Sequence, residues 1–119
     1  MGPETKFKYK VFKDLKTLKH CHYEKIQQRC IRATLDILCC INGYYVALEL
    51  KATPQDKLDA LQAHTVQKIG KARGIALRVD PENWPEILSQ LRLLDDQPES
   101  ALQRIAKAPA KATKRALSN

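Results

Sequence analysis

No apolar run in the chain is long enough to span a bilayer, and no signal-peptide pattern stands at its start. Both absences argue against membrane insertion and secretion, so the expected protein is soluble, intracellular and cytoplasmic. No C-x2-C pair and no H-x3-H pair occurs, which are the spacings structural zinc sites use. The four cysteines are Cys21, Cys30, Cys39 and Cys40. Neighbours on a strand point to opposite faces, so Cys39 and Cys40 are poor disulfide partners and read as small buried apolar residues. There is no internal repeat. Acid is scarce: 13 Asp and Glu stand against 21 Lys and Arg, for a net charge of +8. That imbalance points to a polyanionic partner. No long basic amphipathic helix dominates the chain, so nucleic acid is expected rather than a membrane surface.

What the chain does contain fits one small globular domain. It has 119 residues, 44% of them hydrophobic, enough for a modest core. Its organising stretch is DILCCINGYYVALELK, Asp36 to Lys51. Asn42-Gly43 between two apolar runs is the strongest short-range signal for a two-residue hairpin. A turn there sets Ile41 against Tyr44, and the same register sets Asp36 against Glu49. Opposed side chains lie roughly 4.5–5.5 Å apart at Cβ, and like charges so placed destabilise a sheet. Lys51, two residues beyond Glu49, shares its face. A divalent cation removes the conflict between the acids, and oxygen donors suit magnesium, with manganese as its substitute.

Before the hairpin, residues 3–18 read as a helix. Pro3 fits its first position, and Phe7, Val11, Leu15 and Leu18 form an apolar stripe. Glu4 heads that stripe, where it also favours the positive helix N-terminus. Lysines surround the stripe, and Lys6 and Lys10 are candidates for binding phosphate. Residues 20–27 read as a short strand. Arg29 and Arg32, just before Asp36, can hold phosphates flanking a scissile bond or serve only as loop charges.

After the hairpin, Pro54 marks a loop, and Asp56 is expected to cap a helix running to about Ala72. Leu58, Leu61, Thr65, Ile69 and Ala72 give that helix an apolar face, with Gln62 on or beside it. A buried glutamine needs partners. His64 lies off the stripe and reads as a surface residue. Gly74 is expected to end the helix in a left-handed conformation. Ile75 to Val79 then forms a strand parallel to the hairpin's second strand. Asn83 and Glu86 have the spacing of a capping box. They open a last helix carrying Ile87, Leu88, Leu91 and Leu94, with Trp84 packing near its start. These elements imply a small α/β fold, a mixed sheet with flanking helices. From about Asp95 the composition turns to Ala, Lys and Arg, and a basic tail, helical or disordered, is expected over 95–119.

Asp36 with Glu49-Leu50-Lys51 resembles the active-site signature of the PD-(D/E)xK nucleases. The stretch through IGKARGIALRV is similar to virus-type replication-repair nuclease domains, relatives of the Holliday junction resolvases. The likeness covers about residues 4–94, taken as the nuclease domain 1–94. One departure is that Thr34 and Leu35 precede the first acid where the family has Gly and Pro, which bears on loop shape. The resemblance implies a restriction-endonuclease-like core and a magnesium-dependent endonuclease that leaves a 5′-phosphate and a 3′-hydroxyl. It implies Asp36, Glu49 and the Leu50 carbonyl as metal ligands with Glu4 completing the site, and Gln62 in the catalytic centre beside Lys51. It also implies branched DNA as substrate, Holliday junctions first, and a homodimer as the cutting species. Three alternatives remain beside it: a flap or single-strand nuclease, a non-catalytic DNA-binding module that kept the fold, and a zinc-stapled interaction domain on His20, Cys21, His22 and Cys30.

Overall fold

A computed structural model describes residues 2–26 and 35–107. The element order is α1 (Pro3–Leu15), β1 (Cys21–Lys25), β2 (Ile37–Ile41), β3 (Tyr44–Leu50), α2 (Ala60–Lys71), β4 (Ile75–Val79), α3 (Trp84–Asp95) and α4 (Ala101–Ala106). The strands form one sheet in the order β1-β2-β3-β4, so the fold is α/β. β1 to β3 are antiparallel neighbours and β4 pairs parallel to β3, which makes the sheet mixed.

The hairpin has the expected register. Ile41 opposes Tyr44 and Ile37 opposes Leu48. Both turn residues have positive φ, 50° at Asn42 and 87° at Gly43, which is what a two-residue turn matching strand twist requires. The turn is also tied into the rest of the fold. Asn42 Nδ2 donates to the Leu94 and Gln97 carbonyls at 2.9 Å each, and Gln103 Nε2 donates to the Asn42 carbonyl at 2.9 Å. A Cβ at Gly43 would collide with Gln103. The stretch from Asp95 onward therefore begins folded: Asp95 is buried and accepts from the Lys19 and His20 amides, and α4 reaches back to the hairpin.

The core lies on one face of the sheet. Ile37, Cys39 and Ile41 of β2, Val46, Leu48 and Leu50 of β3, and Val79 of β4 are buried against Phe7, Val11 and Leu15 of α1 and Trp84 and Leu91 of α3. Cys39 is in this core while Cys40, its neighbour, is exposed on the other face. Trp84 Nε1 donates to Asp14 Oδ2 at 2.8 Å, giving the buried indole a partner.

Several element ends differ from expectation. α1 stops at Leu15, and Leu18 stays buried through a turn bonded to Asp14 and Leu15. α2 starts at Ala60 and its cap is Asp59, whose carboxylate accepts from Gln62 N while Gln62 Oε1 accepts from Asp59 N. Asp56 closes a turn with Thr53 instead. The left-handed residue after α2 is Arg73, φ 66°, and not Gly74. Arg73 N bonds to the Gly70 carbonyl and Gly74 N to the Ile69 carbonyl, the paired bonds of a Schellman ending. Gly74 serves close approach: a Cβ there would stand 2.8 Å from Ile69 Cγ2 and 3.2 Å from Tyr45 Cδ1. Asn83 makes no side-chain cap. Asp80 does that work, accepting from the amides of Glu82 and Asn83.

Candidate active site

Strand alternation places a second set of residues on the face opposite the core. Leu38 faces Ala47 and Cys40 faces Tyr45 across β2 and β3. The same ladder, extended by one rung, brings Asp36 to Glu49. Asp36 stands just before β2 and is anchored there, its Oδ2 accepting from the Leu50 amide at 2.8 Å. Glu49 is only 5% exposed. The two acids expected to oppose each other are therefore together in space.

Glu49 uses its two oxygens unequally. Oε2 accepts from Gln62 Nε2 at 2.9 Å and lies 3.5 Å from Lys51 Nζ. Lys51 Nζ also donates to Gln62 Oε1 at 3.3 Å. Glu49, Lys51 and Gln62 thus close a triangle. Its third corner is set by the capping box, which ties Gln62 Oε1 to the Asp59 amide at 3.1 Å. Glu49 Oε1 is buried and has no hydrogen-bond partner among the described residues. Burial first and the facing Asp36 second push the Glu49 carboxyl from 4.5 up to about 7, against the opposing pull of Lys51. A buried carboxylate oxygen without a donor is costly unless a proton or a cation meets it.

Arg78 holds this corner in place, and the sequence alone did not single it out. It is the register partner of Glu49 on β4. Its guanidinium is committed to structure: Nε donates to the Asp56 carbonyl and Nη2 to the Thr53 carbonyl, both at 2.7 Å, and Nη1 pairs with buried Asp80 at 2.5 Å. The loop leading from Lys51 to α2 is thereby clamped to the sheet. Strand pairing and loop folding together create this clamp. The one signal available beforehand was an arginine set within the apolar pattern of β4.

The other expected site residues are distributed differently. Glu4 is exposed in the first turn of α1. Among the described residues no three His, Cys, Asp or Glu side chains gather to hold a metal ion. Lys6 is exposed, and Lys10 is paired with Asp14 at 3.3 Å. Arg29, Arg32 and Cys30 lie outside the described residues. His20 is engaged by Asp95 and His22 by Glu24. His64 is exposed, as a surface residue should be. No helix of the described residues is long and apolar enough to cross a membrane.

Comparison with protein-family models, with curated proteins and with solved structures finds no match to this chain.

Proposed function

We propose that this chain is a metal-dependent endonuclease that hydrolyses DNA phosphodiester bonds on a restriction-endonuclease-like core. The observation that carries the reading is the orphaned Oε1 of Glu49, buried opposite Asp36 with Lys51 and Gln62 on the other oxygen. Two facing carboxylates with a partly buried lysine beside them form a donor set of hard oxygens, which suits magnesium or manganese. Asp36 and Glu49 would hold the ion. The resemblance adds the Leu50 carbonyl and Glu4. When bound, the metal supplies charge that polarises the phosphate and acidifies water.

The remaining steps belong to the chain. Glu49 must give up its proton for the cation to enter, so metal affinity rises with pH. Lys51 presents its ammonium at the edge of the acid pair, where it stabilises negative charge growing on the phosphate. Gln62 fixes both Glu49 and Lys51, limiting their motion to one geometry. The Asp59 cap and the Arg78 clamp hold Gln62 and the loop in turn. The products would be a 5′-phosphate and a 3′-hydroxyl.

The net charge of +8 supports a DNA substrate. The reading extends to a homodimer acting on branched DNA, with four-way junctions as the first target. A junction needs two cuts, and a two-fold dimer supplies two identical sites in fixed relation. Exposed Tyr44 and the apolar residues Leu102 and Ile105 of α4 are available to such an interface. A panel of single strands, flaps, duplexes and four-way junctions with magnesium tests the chemistry, and sedimentation at micromolar concentration tests the dimer. Paired cuts in junctions by a dimer are expected. Failure to cut any member of the panel with magnesium or manganese would overturn the nuclease reading; cutting by a monomer that ignores junctions would overturn only its dimeric part.

A further inference from the structure

Among the described residues, the sheet face that carries the acid pair is only partly covered. α2 has an apolar side, yet none of its residues is buried. Across from it, Leu38, Ala47 and Tyr45 line an open groove of about 610 Å³, closed on the helix side by Ile69. Tyr45 is 50% exposed. Its ring lies close to Gly74, where a Cβ would stand 3.2 Å from Tyr45 Cδ1, which leaves no room for a side chain there. A large half-exposed aromatic held this way is a stacking platform.

Two further features orient the groove. The first is continuity. Asp36–Glu49, Leu38–Ala47 and Cys40–Tyr45 are successive rungs on one face, so the groove starts one rung from the acid pair, about 7 Å away. Tyr45 is two rungs away, about 14 Å. An extended single strand advances one nucleotide over a comparable step. The second is charge. Lys68 and Arg73 line the groove beside Tyr45, and neither has an acidic partner among the described residues. An apolar floor, an aromatic wall and a cationic rim match a nucleic-acid strand whose bases are unpaired. A paired duplex cannot use the floor, because its bases are already stacked on one another.

We infer that this groove takes unpaired nucleotides of the strand whose phosphate lies at Asp36 and Glu49, with a base stacked on Tyr45 and the backbone held by Lys68 and Arg73. The inference rests on the nuclease reading and deepens it: among branched DNAs, those with an unpaired stretch next to the cut bind most tightly. Binding is the measurement, made in calcium without turnover and at several salt concentrations. One probe is a duplex with a three-nucleotide unpaired segment carrying 2-aminopurine, and the other is a blunt duplex with the same number of phosphates. Anisotropy gives affinity and fluorescence gives stacking.

Tyr45→Ala is expected to weaken binding of the unpaired probe by about 5- to 150-fold, the span of base–aromatic stacking, and of the blunt duplex by less than about twofold. Tyr45→Trp should restore both affinity and quenching. Lys68→Ala with Arg73→Ala should lower the salt slope by roughly 0.7 for each single-strand phosphate that the pair neutralises. Equal loss on both probes, or no loss on either, would overturn the inference, as would a shift from dimer to monomer in Tyr45→Ala without loss of quenching, which would mark the groove as the seat of a second copy. Should Tyr45→Ala melt before the assay temperature, Tyr45→Trp and the double cation variant still decide the matter. Selective binding without cleavage would sink the nuclease reading and leave the groove; cleavage indifferent to unpaired bases would do the reverse.

Discussion

Replacing Glu49 by glutamine should make the metal-free protein more stable, and increasingly so as pH rises. Glutamine keeps the shape and an oxygen for Gln62 Nε2 but removes the charge that faces Asp36. In the folded wild type the Glu49 carboxyl is raised to about 7 from its ordinary 4.5. Below pH 4.5 the folded and unfolded chains both hold the proton and the group contributes nothing to pH dependence. Between 4.5 and 7 only the folded chain holds it, so stability falls as pH rises, and above 7 the full penalty is present. At about 1.4 kcal/mol for each pKa unit, the ceiling is about 3 kcal/mol, and water reaching the Lys51 side reduces it. In a domain of this size that corresponds to a fall in Tm on the order of 10 °C. Melting curves of wild type and Glu49→Gln in chelator at pH 5, 6, 7 and 8 isolate the effect of this cluster, because titrating groups remote from Glu49 cancel in the difference. The variant should gain little at pH 5 and several degrees at pH 8. Millimolar magnesium should then restore the wild type above pH 7 and leave the variant unmoved, since ligand binding stabilises only a fold that binds it. A Tm difference independent of pH would refute the view that burial and Asp36 hold the proton on Glu49.

Other tests address the remaining parts. Asp36→Asn, Glu49→Gln and Lys51→Ala should each reduce cleavage to background while DNA affinity in calcium changes by less than about threefold, and turnover near wild type by any of them would remove that residue from the chemistry. Deleting residues 108–119 removes Lys111, Lys114 and Arg115 but leaves α4 and its bond to the hairpin intact; the slope of log affinity against log salt should fall by roughly 0.9 for each duplex phosphate that the tail neutralises, and an unchanged slope would show that the tail does not touch DNA. Arg73→Gly should raise stability by about 0.5–1 kcal/mol in urea titrations, because glycine relieves the left-handed conformation at the end of α2. A loss instead would mean that the Arg73 side chain contributes more to the fold than its backbone strain costs.

Local chemistry made some of this molecule legible in advance. Asn42-Gly43 admits a turn that few other pairs can make, and a two-residue turn leaves one register. That register carries Asp36 to Glu49 and places Lys51 on their face with no help from the rest of the chain. Apolar period, proline and glycine likewise outlined three long helices and the parallel strand. The ends of those elements were less legible, because several acids compete for each cap and the winner depends on where the backbone turns. Asp59 took the cap expected of Asp56, and Asp80 the one expected of Asn83. The partnership of Gln62 with Glu49 and Lys51 was expected only through resemblance; its geometry exists only once α2 packs against β4. Arg78 was invisible for the same reason, since its partners Thr53, Asp56 and Asp80 come together only when the loop folds over the strand. The groove is also a tertiary fact. A sequence shows that Tyr45 and Ile69 are apolar, but only the folded chain brings both to Gly74 on the wall of one groove.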